Sequence, residues 1–311
     1  MNGSIVPQFR LKGRLNREDY ALIDELREVC MRHDGIMLKL ELDYKLEDAK
    51  HADVEHSREE INEFLSFNGN ELIGYAGICS FGGPGSPLEI TGMVHPTFRR
   101  QGLFSELHEL VMAECGKRQA GKILLLCDRK SVPGVKFLDK IQAERISSEF
   151  EMHLLGAHEA TGKKLPDIFL RKASNSDAAE VARQNRIYFD ASAVLDPDDT
   201  SERLILPEEE EKRGVTIYLA EHDEEIIGKV HLQLINGIGG IYGLGVLPPF
   251  RGKGFGRMIL LQAIRILREA GASDIMLQVE ARNDRALTLY RSCGFKETSV
   301  MDYYEMKQLE Q

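Results

Sequence analysis

From Ile238 to Leu261 the sequence reads IGGIYGLGVLPPFRGKGFGRMILL. Apolar and small residues run up to Val246. Glycines then stand at alternate positions 252, 254 and 256, and an apolar helical pattern continues from Met258. This order predicts a strand, a tight loop and a helix. Glycine lets the backbone approach a ligand closely, and the first turn of a helix leaves N–H groups unpaired. Those donors, with the positive end of the helix dipole, suit a phosphate or pyrophosphate. A Walker A loop needs Gly-x-x-x-x-Gly-Lys-Ser/Thr and a Rossmann fingerprint needs Gly-x-Gly-x-x-Gly; this stretch has neither.

What stands here is Arg251-x-x-Gly254-x-Gly256. It resembles the acetyl-CoA signature Arg/Gln-x-x-Gly-x-Gly/Ala of the GNAT N-acetyltransferase superfamily. The resemblance continues upstream through Gly245, Val246 and Pro248, and downstream to Asn283, Leu289, Tyr290, Gly294 and Phe295. It implies that acetyl-CoA is held by Leu244, Gly245, Val246, Arg251, Gly252, Lys253, Gly254, Phe255, Gly256, Arg257 and Asn283. It implies that Tyr290 protonates the departing CoA thiolate; the alternative is a core aromatic at helical spacing. Asn283 either touches the pantetheine arm or caps its helix. Gln278 and Glu280 alternate on one face of a predicted strand. Glu280 lies in VEARN, which is similar to the VEAxN segment of mycothiol synthase-type enzymes, themselves tandem GNAT proteins. There it either relays a proton through water or pairs with Arg282 or Arg285.

The chain also repeats itself. A displacement of 152 residues, as from Val94 to Val246, sets Pro96 on Pro248, Phe98 on Phe250, Arg99 on Arg251 and Gly102 on Gly254. The expected fold class is therefore α/β, a mixed α+β sheet in two tandem GNAT (acyl-CoA N-acyltransferase) folds. Residues 1–156 form a first domain, 157–166 a linker and 167–311 a second domain in this reading. The first repeat keeps the fold signals and loses the chemistry. Gly256 is matched by Phe104, whose ring is expected to crowd the phosphate cradle. Asn283 is matched by Ser131 and Tyr290 by Leu138.

At 311 residues each half can bury a core. Residues 43–60 are expected as loop and a helix ending near Phe67. The acidic runs DPDD at 196–199 and PEEEEK at 207–212 are expected as solvated loops. A net charge of -10 argues against nonspecific nucleic-acid binding. No membrane span or signal peptide is legible. The five dispersed cysteines suit reduced thiols in a cytoplasm. His51, His56 and His95 lack metal-ligand spacing, so no metal is expected. Gly116–Ile123 approximates a Walker A loop but ends in Ile and precedes a strand, which excludes it. The leading reading is an enzyme that moves the acetyl group of acetyl-CoA to a small-molecule amine. The rivals are a protein-amine or mycothiol synthase-like acetyltransferase, and a non-catalytic CoA-binding module.

Overall fold

The computed structural model describes residues 6–51, 60–80, 86–118, 121–156, 165–189 and 205–306. The chain forms two compact units, Met1–Ser148 with Ser299–Gln311, and Glu149–Thr298.

The first unit opens with β1 (Gln8–Lys12), α1 (Arg17–Asp34) and α2 (Leu42–His51). Asn16 caps α1 in a reciprocal box with Asp19, and Gly35 ends the helix at φ 64. The helix buries Ile23, Leu26 and Cys30. Then come β2 (Glu63–Asn68), β3 (Glu71–Cys79), β4 (Leu88–Val94), α3 (Leu103–Cys115), β5 (Ile123–Asp128), α4 (Val132–Lys140) and β6 (Ala143–Leu154). β2 corrects the expectation of a helix ending near Phe67. Phe64 packs into one core and Leu65 with Phe67 into another, so the strand is buried on both faces. Such a strand shows no polar–apolar alternation and is hard to tell from a buried helix.

The second repeat follows the same plan: β7 (Phe169–Lys172), α5 (Ala178–Phe189), α6 (Pro207–Lys212), β8 (Val215–His222), β9 (Glu225–Ile235), β10 (Ile238–Val246), α7 (Phe255–Glu269), β11 (Asp274–Glu280), α8 (Asp284–Ser292) and β12 (Phe295–Met306). PEEEEK is thus a short helix, with Pro207 at its first turn and Glu208 bonded to Asn175. DPDD lies outside the described residues.

In the first unit the strand order is β1-β2-β3-β4-β5-β12, and in the second β7-β8-β9-β10-β11-β6. β4–β5 and β10–β11 pair in parallel. The last strand of each repeat therefore joins the other unit. Glu149–His153 of β6 pair with β11, and Met301–Glu305 of β12 pair with β5. The expected division at 157–166 kept each last strand with its own repeat, and residues 157–164 lie outside the described residues. The physical reason is plain. Both strands have 12 residues and the same place in the repeat. Periodicity announces a strand but not the sheet edge that it joins.

No helix among the described residues is long and apolar enough to cross a membrane. No group of His, Cys, Asp and Glu among them is arranged to hold a metal ion.

Candidate active site

In the second unit, β10 pairs with β11 only from Ile238 to Ile241, opposite Asp274 to Leu277. β10 runs on to Val246 and β11 to Glu280, so the two parallel strands part beyond that point. A bulge between Tyr242 and Gly245 marks the place, with Gly243 at φ +54.

One face of this opening carries the glycine loop. Pro248–Phe250 make a 3-10 turn, and Gly254 precedes α7 as its cap at φ 92. Gly252 lies at φ +76 with open space where a Cβ would stand. Among the described residues, the backbone N–H groups of Gly252, Lys253, Gly254, Phe255 and Gly256 meet no acceptor. Ile259, Leu260 and Leu267 bury the other side of α7. Each contributes roughly 1.5–3 kcal/mol of apolar transfer, which holds the helix end in place.

The expected site residues divide by what they touch. Leu244 and Val246 pack on the core below the loop. Arg251 is exposed and donates from Nε to Val246 O at 2.8 Å. Lys253 stands over the Phe250 ring at 5.7 Å. The Phe255 side chain is core, against Phe250 and His222, so only its N–H faces the loop. A Cβ on Gly256 would sit 3.5 Å from Leu289 and 3.6 Å from Val246, ordinary contact. Arg257 makes bonds within the protein. Its guanidinium binds Ser292, and its N–H donates to Gly254 O at 3.1 Å. Asn283 caps α8, accepting from the Ala286 N–H at 3.1 Å.

Tyr290 lies on α8, 8% exposed, in the core shared with α7. Burial pushes its hydroxyl up to about 12, so it stays protonated. Among the described residues that hydroxyl has no hydrogen-bond partner. Glu280 is exposed at the end of β11. Leu277 and Val279 point into the core with Tyr290, so Gln278 and Glu280 belong to the opposite face of the sheet. Among the described residues Glu280 forms no ion pair, with Arg282, Arg285 or any other.

That opposite face holds groups that sequence reasoning missed. Lys229 on β9 is fully buried, with Nζ 3.0 Å from His231 Nε2 and donating to Gly243 O at 3.2 Å. Burial holds the Lys229 ammonium down to about 7. Burial, then the Lys229 charge, pushes the His231 imidazole down to about 3. Tyr188 of α5 covers Gly245, and Tyr242 reaches Met276 Sδ at 3.7 Å. The glycines of β10 thereby acquire a reason. A Cβ on Gly245 would stand 2.1 Å from the Tyr188 ring, and one on Gly240 would stand 2.4 Å from the Tyr242 ring. Gly245→Ala is expected to lower stability by about 1–3 kcal/mol through overpacking. Chemical denaturation measures it, and an unchanged midpoint would show that Tyr188 yields freely.

The first unit keeps the frame and fills the opening. β4 and β5 pair only at Leu88–Ile90, and Gly102 caps α3 at φ 88. Phe104, expected to crowd the phosphate cradle, stands in the first turn of α3. Its ring packs on Phe137 at 4.7 Å and lies 2.8 Å from where a Cβ on Gly92 would be. Arg99 repeats the Arg251 contact to the strand, but both terminal nitrogens are held by Asp34, at 2.8 and 2.7 Å.

Comparison with known proteins agrees with this frame. The acetyltransferase (GNAT) family matches residues 21–142 and 182–295. The chain belongs to the GNAT acetyltransferase family. Among curated relatives, the mycothiol acetyltransferase of Streptomyces avermitilis is 28% identical over 260 residues, covering 78% of this chain and 80% of that one. That of Streptomyces coelicolor is 24% identical, covering 90% and 94%. Among solved structures, a GCN5-related N-acetyltransferase from Sphaerobacter thermophilus shares the GNAT fold. It has a TM-score of 0.68 and 17% identity, with 96% of each chain covered. A tandem GNAT protein from the clavulanic acid biosynthesis pathway matches with a TM-score of 0.69 and 13% identity, covering 98% of this chain and 100% of that one. This GNAT protein is accordingly an acyltransferase that moves an acetyl group to an amine, in two GNAT folds. The family generally uses acetyl-CoA.

Proposed function

We propose that the second repeat carries the transfer from acetyl-CoA to a small-molecule amine, and that the first repeat supports it without chemistry. The observation that carries this reading is the contrast between the two openings. In the second, Tyr290 stands on the face of the glycine loop, whose Gly252–Gly256 N–H groups, like those of residues 100–104 in the first, are unclaimed among the described residues. In the first, Phe104 fills the groove, Asp34 holds Arg99, and Leu138 replaces Tyr290.

The roles follow from acyl transfer. The loop N–H groups and the end of α7 take the pyrophosphate, with Arg251 and Lys253 at its edge. The pantetheine arm runs along Leu244–Val246, and Asn283 keeps its amide donors for it while its oxygen caps α8. Strand N–H groups near Val246 meet the oxygen of the thioester carbonyl as charge develops there. Tyr290 gives a proton to the leaving thiolate. The acceptor enters from the opposite face, where the exposed Glu280 offers a counter-charge to an ammonium and a water-mediated path for its proton.

The sequence relatives named for mycothiol favour a small acceptor over a protein amine. The test is release of free CoA from acetyl-CoA over a panel of polyamines, amino acids, aminoglycosides, peptides and mycothiol-type amines. Steady release with one small amine class is expected. Release with peptides alone would move the acceptor class. Binding without release would leave a CoA-binding module.

A further inference from the structure

Gln278 takes no part in the roles of the glycine loop, Tyr290 and Glu280, yet it stands where they meet. β10 and β11 are paired as far as Ile241 and Leu277, so Gln278 is the first β11 residue past the point where the strands part. Leu277 and Val279 lie in the core, which sets Gln278 on the acceptor face, with Glu280 two residues further out. Gln278 is half-buried where Glu280 is exposed. Its amide meets no hydrogen-bond partner among the described residues.

The neighbouring groups are engaged with one another. Glu151 of β6 lies directly opposite Gln278, and its carboxylate is 3.3 Å from His153 Nε2. His153 Nδ1 is in turn 2.7 Å from Asp274 Oδ2. Met276, the next residue inward on this face, receives the Tyr242 hydroxyl on its sulfur at 3.7 Å. The first unit is different at the same place. There β4 and β5 are paired as far as Ile90 and Leu125, so Leu126 and Asp128 stand where Gln278 and Glu280 stand in the second. Leu126 has no polar side-chain atom. Asp128 is 2% exposed and accepts from the N–H groups of Met37 and Lys130, at 2.9 and 2.7 Å. The repeat that carries Tyr290 is thus also the one with a polar, uncommitted amide at the parting of the strands.

We propose that Gln278 binds the acceptor and selects an amine with an oxygen on the adjacent carbon, as in a 2-amino alcohol or an α-amino amide. The inference rests on the second repeat being the transferring half, with its acceptor on the Glu280 face. A carboxamide carries an oxygen that accepts and a nitrogen that donates, side by side at the end of one side chain. An amine beside an oxygen-bearing carbon presents the complementary pair, an N–H and an oxygen lone pair. The Gln278 oxygen takes the N–H, and the Gln278 nitrogen donates to the acceptor oxygen. With one N–H so held, the nitrogen lone pair is aimed at the thioester carbon. Glu280 keeps its own part, the counter-charge and the water path for the proton. A plain alkylamine satisfies the amide oxygen alone and leaves the amide donors unpaired at a half-buried place, which costs more than an ordinary hydrogen bond is worth.

The experiment measures kcat/KM of the full chain for 2-aminoethanol, glycinamide and propylamine. Wild type is expected to prefer one or both of the oxygen-bearing amines, and the better of the two identifies the source of the oxygen. The quantity read is the change in each preference on substitution, in which the amines' own basicities cancel. Gln278→Leu should lower the preference over propylamine by about 10-fold and leave acetyl-CoA affinity unchanged. Gln278→Glu keeps the length and the oxygens but has no N–H to donate, so it should lose the preference likewise; it decides if Gln278→Leu does not fold. Glu280→Gln should slow all three amines alike and keep the preference. Equal use of the three amines by wild type, transfer confined to amines without an adjacent oxygen, or a preference untouched by both Gln278 variants overturns the proposal. A wild-type chain that acetylates no amine fails the proposed function itself. Transfer that survives Gly254→Val fails the choice of repeat. Both results are distinct from an unaltered preference in the Gln278 variants.

Discussion

Gly254→Val is expected to abolish acetyl-CoA binding while the chain still folds. Gly254 lies at φ +92, and a Cβ there comes 3.3 Å from Pro166 Cδ. Holding a branched residue in that conformation costs about 1–3 kcal/mol, a tolerable fraction of ordinary domain stability. The new side chain stands at the start of α7, among the N–H groups assigned to the pyrophosphate. Gly102→Val is the matched control, because Gly102 lies at φ +88 in the first unit with Glu106 Oε1 4.0 Å away. Calorimetry with acetyl-CoA should show no binding to the first variant and ordinary binding to the second. Undiminished affinity in Gly254→Val would remove the loop from the site.

Tyr290→Phe is expected to slow transfer by about 10²- to 10⁴-fold, the usual range for general acid catalysis. The change keeps the ring and removes only the hydroxyl. A proton given to a departing thiolate matters in the transition state more than in the ground state, so acetyl-CoA affinity should hardly move. Burial raises the hydroxyl to about 12, so alkaline conditions do not strip its proton within the working range. Single-turnover transfer to a confirmed acceptor reads the chemical step even where CoA release limits turnover. A normal rate would leave Tyr290 as a packing residue of α8. Leu138→Ala, at the matching place in the first unit, deletes a buried side chain and should cost about 2–5 kcal/mol of stability without slowing the step.

The frame of the candidate site was legible where local chemistry demands particular residues. A loop with positive φ at 252 and 254 needs glycine, and these positions can be read from the chain directly. Asn283 announced a helix start and proved to be one. Arg257 stands in the first turn of α7, where helical spacing turns its side chain toward Ser292. Lys229 and His231 were invisible for a different reason. EIIGKVHLQLI places Lys229, His231 and Gln233 on one side of a strand, the ordinary pattern of a solvent face. α5 packs on that side, with Tyr188 5.7 Å from the Lys229 amine, and converts it into an interior. The exchange of β6 and β12 escaped likewise, because edge pairing is a non-local choice between two equivalent strands.

The most direct measurement is acetyl transfer itself, followed as free CoA and as N-acetylated acceptor by mass spectrometry. It is made on the wild-type chain, Gly254→Val and Gly102→Val. The account predicts equal amounts of CoA and acetylated amine from wild type and from Gly102→Val, and neither product from Gly254→Val. Product from Gly254→Val with none from Gly102→Val would place the chemistry in the first repeat and contradict the account.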